Sequence, residues 1–378
     1  MLQLPPLSLY IHIPWCVRKC PYCDFNSHEA KGEVPEDDYV DRLLEDLSLE
    51  RVAAQGRELQ SIFIGGGTPS LFTAPAIARL LKGVGEIVPM AADCEVTMEV
   101  NPGTFERERF AGFRAAGINR LSVGVQSFND EKLKRLGRIH SKGEAVAAIE
   151  QLHQLGFDNF NIDLMHGLPD QSLEEALADL QQAIDLNPAH ISWYQLTIEP
   201  NTAFYSKPPV LPEDDALWEI QEQGHALLQS AGFMQYETSA YTRGRRARHN
   251  LNYWQFGDYL GIGAGAHGKV TWPGEGKIVR RWKTRMPAHY LDRNRLLAAG
   301  ENEVSREELP FEFMMNALRL IDGVPTKWWE QRTGLPMQLV GEPVELGRTR
   351  GLLDKNEDLF RATPMGQRYL NDLLELFL

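Results

Sequence analysis

Cysteine is scarce in this chain: four residues in 378, three of them within eight positions and the fourth, Cys94, far away. A secreted disulfide framework would be denser and more evenly spread. Cys94 falls in the strand-like run DCEVTMEV and reads as an inert core thiol. No stretch approaches the roughly 18 uninterrupted apolar residues of a membrane span. The N-terminus, MLQLPPLSLYIHIP, lacks the charged start and long apolar run of a signal peptide. These absences lead us to expect a cytoplasmic protein with no membrane span. Net positive charge is missing as well. Lys and Arg total 39 against 52 Asp and Glu, a net charge of −13, which argues against nucleic acid held through its phosphates. Repeats and low-complexity segments are also absent.

What is present is a core-forming composition, 43% hydrophobic, and enough length for one barrel-sized domain plus a smaller one. Short β-rich runs alternate with helical patterns. The runs are LSLYIHI, SIFI (61–64), EVTMEV (95–100), NRLSVGV (119–125), FNIDLM (160–165) and HISWYQLTI (190–198). The spacing predicts helices near 37–54, 74–87, 105–116 and 172–186, and a helical stretch ending near Gly156. Six β–loop–α units imply parallel strands with right-handed crossovers. They are too few for a closed eight-stranded barrel. The expected fold is therefore α/β, a partial, open (β/α)6 barrel rather than a doubly wound sheet, with its chemistry in the loops after the strands.

The pattern changes after about residue 205. A helix near 213–231 and a Gly-rich, aromatic stretch (233–272) precede helical segments that end in GQRYLNDLLELFL, read as one terminal helix with an apolar face. We expect a barrel core over 1–205, an extension over 206–285, and a small, mostly helical C-terminal domain over 286–378. Two basic clusters, RGRRARHN (Arg243, Arg245, Arg246, Arg248) and RRWKTR (Arg280, Arg281, Lys283, Arg285), read individually as solvated loops. Both neighbour the unusual word HNLNYW (His249–Trp254).

The sequence CVRKCPYC places Cys16, Cys20 and Cys23 as C-x3-C-x2-C. Three thiolates ligate three irons of a cubane [4Fe–4S] cluster and leave the fourth iron open to a chelating cofactor. The spacing differs from the paired C-x2-C of structural zinc.

This loop resembles that of the radical-SAM superfamily. YIHIPWC, GGGTP, the E-x-NP of Glu99–Pro102, GVQSF and DLMHGLP, in that order from residue 8 to about 200 and continuing through GIGAGAHG, resemble the oxygen-independent coproporphyrinogen III oxidase family. The resemblance implies S-adenosylmethionine on the open iron. By matching position it implies cofactor contacts at Glu99, Gln126, Arg138 and Asp163, with Gly66, Gly67 and Thr68 beside them and Tyr10 and Tyr22 as nearby aromatics. Glycines admit close backbone approach. Carboxylates suit an ammonium and ribose hydroxyls, and Arg138 suits a carboxylate.

Two departures set the chain apart from the oxidase. The oxidase carries a further cysteine two residues after the third, where Phe25 stands here, and it has a longer segment before the position of Tyr10. HNLNYW instead resembles the HNxxYW signature of the haem chaperone branch of the family. That branch implies haem binding and delivery to haem-accepting proteins, membrane-bound respiratory enzymes among them, and with it a peripheral place at the inner membrane face. His249 is a candidate axial ligand, Tyr253 and Trp254 suit a flat porphyrin face, and the adjacent arginines suit propionates. His12, His166, His225 and His267 are further candidate ligands. No catalytic residue is assigned; decarboxylation of coproporphyrinogen III is the alternative activity.

Overall fold

The computed structural model describes residues 1–104 and 107–378. The six β-rich runs become β1 (Leu7–Ile13), β2 (Leu59–Gly66), β3 (Met90–Val100), β4 (Arg120–Gln126), β5 (Phe160–His166) and β6 (His190–Gln195). Between them lie helices α1 (Glu36–Ala54), α2 (Ala74–Ile87), α3 (Arg107–Ala116), α4 (Asp130–Arg135), α5 (Lys142–Gln154) and α6 (Leu173–Asp185). The expected start of the third helix at 105 lies outside the described residues. Local chemistry accounts for the helix starts. Ser141 with Glu144, and Ser172 with Glu175, form capping boxes at α5 and α6.

The strands pair in parallel in chain order, with Leu9 opposite Ile62 and Ile162 opposite Ile191. This confirms the α/β reading and the partial barrel. Six of the seven residues of β1 are buried, because helices cover one face of the sheet while polar residues line the hollow on the other.

The stretch after 205 extends the same sheet. Helix α7 (Asp214–Ser230) leads to β7 (Met234–Glu237) and β8 (Ala240–Thr242), which add antiparallel beyond β6. Helix α8 (Arg248–Trp254), built from RHNLNYW, then leads to β9 (Asp258–Ile262), β10 (His267–Trp272), β11 (Lys277–Lys283) and β12 (Ala298–Glu303). Strand β9 inserts beside β1 as a seventh parallel strand, with Leu9 opposite Leu260. The full order is β12-β11-β10-β9-β1-β2-β3-β4-β5-β6-β8-β7. Strands of three to six residues among glycines leave little alternation to read in 233–272.

Helices α9 (Leu309–Ala317), α10 (Lys327–Thr333) and α11 (Gln338–Thr349) enclose a second apolar core. It contains Leu2, Phe256, Ile278, Phe313, Trp329 and Phe360. The terminal helix is not continuous. It divides into Pro364–Arg368, Leu370–Leu374 and a 3-10 turn, Glu375–Phe377, with Tyr369 at φ −110, ψ 47. Tertiary contacts override the helical pattern here. Arg368 stacks 3.7 Å from the Trp218 ring, and Gly366 lies so close to Leu352 that a Cβ would meet its carbonyl oxygen at 1.9 Å. No helix among the described residues is long and apolar enough to cross a membrane.

Candidate cofactor site and adjoining cavity

The cysteine loop leaves the end of β1 and is closed by a short parallel ladder, Trp15–Cys16 against His28–Glu29. Cys16, Cys20 and Cys23 are half-buried and line a cavity of about 400 Å³. Burial pushes the Cys16 thiol up to about 11 and raises that of Cys23. Ser27 Oγ, 3.6 Å from Cys23 Sγ, softens the rise at Cys23, and Arg138 Nη1 stands 3.7 Å from Cys20 Sγ. Thiols in such surroundings ionise on meeting a metal's own charge. Among the described residues, no three His, Cys, Asp or Glu side chains converge on a single ion. Three thiols spaced around a cavity wall instead suit a multi-iron cluster.

The same cavity gathers Tyr22 of the cysteine loop, Gly66, Gly67 and Thr68 at the end of β2, Glu99 near the end of β3, Gln126 at the end of β4, Arg138 from the loop after α4, and Asp163 from within β5. Glu99, near the end of β3, accepts from the Gly66 N–H at 3.0 Å. Burial, then the Asp163 charge, pushes its carboxyl up to about 7. Asp163 is raised chiefly by burial, against hydrogen bonds from Ser122 (2.8 Å) and Asn161 (2.7 Å). Two buried carboxyls of raised pKa form a receptor for positive charge. Gln126 sits at φ 72, its amide oxygen accepting from the Tyr194 hydroxyl at 2.9 Å. Arg138 donates to the Gly124 carbonyl at 2.5 Å, and its Nε, though buried, meets no partner among the described residues.

The glycine run answers to the protein's own packing. A Cβ on Gly66, at φ 112, would meet the His12 ring at 2.4 Å, and one on Gly67 the Trp15 carbonyl oxygen at 2.5 Å.

Tyr10 faces a different space. With Tyr253 and Trp254 it lines a second cavity of about 610 Å³, whose wall also includes His12, Tyr259, His267, Arg280 and Arg285. Asp24 and Phe25 border both cavities, and Phe25 is 56% exposed. His249 lines neither. It is buried under the barrel, its ring 4.3 Å from that of Phe63 and its Nδ1 3.3 Å from Glu95 Oε1.

Three of the four arginines of RGRRARHN are engaged elsewhere. Arg246 pairs with Asp322 at 2.6 Å, Arg248 pairs with Asp93 at 2.5 Å, and Arg243 covers the Phe233 ring at 4.2 Å. The first four residues of RRWKTR, Arg280–Lys283, belong to strand β11 and not to a solvated loop. Arg281 and Lys283 point to α1, where Lys283 bridges Asp46 and Glu50 at 2.6 Å each. Arg280 reaches the Tyr259 hydroxyl at 2.8 Å and pairs with Glu312.

The sequence reading overlooked the polar floor of the barrel. Asn250 donates to the Tyr236 hydroxyl at 3.2 Å, which lies 2.9 Å from His190 Nε2. His190 Nδ1 lies 2.6 Å from Asn161 Oδ1, and Asn161 donates to Asp163. The signal available was period two: Asn161 stands two residues before Asp163, with apolar residues between and beside them, and so shares its face.

Residues 10–181 match the radical SAM superfamily and residues 304–369 the HemN C-terminal domain. The fold and the cysteine-lined cavity thus define a radical-SAM protein of HemN-like build. Its fold matches the solved structure of the radical-SAM enzyme coproporphyrinogen III oxidase (HemN) from Escherichia coli. The TM-score is 0.83 and the identity 24%, with 99% of this chain and 90% of that one covered. The chain is 58% identical over 379 residues to "Heme chaperone HemW" of Escherichia coli, with 100% of both chains covered. It is 55% identical over 383 residues to the protein of the same name from Haemophilus influenzae, covering 100% of this chain and 99% of the relative. The mouse mitochondrial "Radical S-adenosyl methionine domain-containing protein 1" is 38% identical over 335 residues, 86% of this chain and 75% of that one. The chain belongs to the HemW family of radical-SAM proteins.

Proposed function

We propose that this chain is a haem chaperone: it binds haem as cargo, passes it to acceptor proteins, and carries a [4Fe–4S] cluster with S-adenosylmethionine in its barrel. The observation that carries this reading is the pairing of cavities. Tyr253 and Trp254 of HNLNYW wall a space of about 610 Å³ that meets the cysteine cavity at Asp24 and Phe25. Pockets of this size hold ligands larger than a nucleoside. The chain is related at full length to proteins named for haem.

Cys16, Cys20 and Cys23 would hold the cluster, and Glu99, Gln126, Arg138 and Asp163 the S-adenosylmethionine. Glu99 and Asp163 supply negative charge for its ammonium and hydroxyl acceptors for its ribose, while Arg138 supplies the counter-charge for its carboxylate. The unpartnered Arg138 Nε and the raised carboxyls are what such a ligand would satisfy. When bound, cluster and cofactor together supply one-electron chemistry. Phe25 stands where the oxidase has its further cysteine and presents an apolar ring to both cavities, which favours carriage over decarboxylation.

The test is anaerobic reconstitution followed by paired haem and S-adenosylmethionine titrations, with coproporphyrinogen III turnover measured alongside. Haem binding without turnover is expected. Haem affinity no greater than that of an unrelated control protein ends the carrier reading, and protoporphyrinogen formation replaces it with the oxidase.

A further inference from the structure

We propose that His267, and not the histidine of HNLNYW, is the side chain that ligates haem iron in the larger cavity. This rests on the haem-carrier reading above and names the ligand of that same site.

Two histidines line the cavity, His12 and His267. His12 is buried and fully engaged: its Nδ1 lies 2.8 Å from the Tyr10 hydroxyl and its Nε2 2.9 Å from the Asn26 carbonyl oxygen. His267 is exposed, and among the described residues its ring nitrogens meet no hydrogen-bond partner. Its ring stacks near Trp282, centroids 6.5 Å apart and planes 29° from parallel, across the β10–β11 pairing. That contact sets the plane of the imidazole and leaves its nitrogens free. Desolvation of the ring nitrogens, then the charges of Arg280 and Arg285, lower the pKa of the ring and so favour the neutral form, which donates a lone pair to iron.

The surroundings suit the rest of the ligand. Tyr253, Trp254, Tyr259 and Phe25 present aromatic surface to a flat macrocycle. Arg285 is exposed at the rim, where a propionate can meet its guanidinium fork. Trp254 Nε1 is a buried donor with no acceptor among the described residues. The rim that carries His267 is also braced. Asn26 donates to the carbonyls of Ala264 and Arg285 at 2.8 Å each, tying the cysteine loop to both sides of β10 and β11. Gly265 permits that closeness, since a Cβ there would stand 2.4 Å from Asn26 Nδ2.

His249 offers none of this. It is 7% exposed, lies against Phe63 and Glu95, and is outside the cavity wall. Iron could reach it only by displacing the barrel floor.

The experiment uses full-length, anaerobically reconstituted protein titrated with ferric haem, read by Soret absorbance and by electron paramagnetic resonance. Iron and sulfide content serve as the folding control. The variants are His267→Ala, His267→Met and His249→Gln. His267→Ala should lose the imidazole-type spectrum, and added free imidazole should restore it. His267→Met should move the Soret maximum through a changed axial ligand, and it decides the question if the alanine variant fails to hold its cluster. His249→Gln should keep the wild-type spectrum. A wild-type spectrum in His267→Ala or His267→Met, or its loss in His249→Gln alone, overturns the assignment. If the wild-type protein binds no haem, the carrier reading fails with it, and that outcome is separate from any difference among the variants.

Discussion

Glu99→Gln should stabilise this protein and weaken its cofactor site, and the two effects should have different pH signatures. In the cofactor-free protein the Glu99 carboxyl is pushed from 4.5 up to about 7 by burial and by Asp163. At about 1.4 kcal/mol per pKa unit, the ionised form costs the fold about 3 kcal/mol. The sign follows from linkage. Below pH 4.5 native and unfolded chains both carry the proton and Glu99 contributes nothing. Between 4.5 and about 7 only the native chain keeps it, so stability falls as pH rises; above about 7 the penalty is constant. A glutamine removes the penalty, and its amide oxygen can still accept from the Gly66 N–H. Thermal melts without S-adenosylmethionine should therefore show Glu99→Gln melting a few degrees above wild type at pH 8 and level with it near pH 4.5. Calorimetric titration at pH 8 should show S-adenosylmethionine bound about 10- to 150-fold more weakly, the equivalent of one charged hydrogen bond. In the wild type, affinity should fall about tenfold per pH unit below 7, a dependence the variant loses. A variant that melts below wild type at pH 8, or a difference that does not change with pH, would refute the reasoning.

Other outcomes follow from the same geometry. Replacing Cys16, Cys20 or Cys23 with serine should strip the reconstituted cluster, about four irons per chain, while Cys94→Ser should retain it, since Cys94 is buried in the sheet; iron analysis and visible absorbance read both. Lys283→Met leaves Asp46 and Glu50 without their shared cation and should cost about 3–5 kcal/mol in denaturant unfolding; a loss under 1 kcal/mol would show the pair to be hydrated. Gly66→Ala forces a Cβ against His12 at φ 112 and should destabilise by more than about 1 kcal/mol, with S-adenosylmethionine affinity falling in the same titration.

Much of the fold and the site was legible in the sequence because the signals are local. The C-x3-C-x2-C loop sets how three thiols can be presented whatever surrounds them. Six apolar runs, each followed by a polar or glycine-rich loop, set the parallel sheet and the end at which its chemistry gathers. Glu99 and Gln126 share one cavity because they lie at or one residue before the ends of successive parallel strands, joined by Asp163 from within β5 and Arg138 from the loop after α4.

What the sequence left open depends on pairings between distant segments. The insertion of β9 beside β1 brings α8 and residues 258–285 to the barrel, and only then does a second cavity exist for Tyr10, Tyr253 and Trp254 to share. The same helix places His249 against Phe63 and Glu95, one turn before Tyr253, while Tyr253 and Trp254 reach the cavity wall. The words RGRRARHN and RRWKTR show a basic cluster, but the carboxylates that occupy Arg246, Arg248, Arg280, Arg281 and Lys283 come from α1, β3 and residues 301–322. A side chain's residue type is a local property. Its partner is set by strand order and helix placement across hundreds of residues, and no periodicity within one segment encodes that.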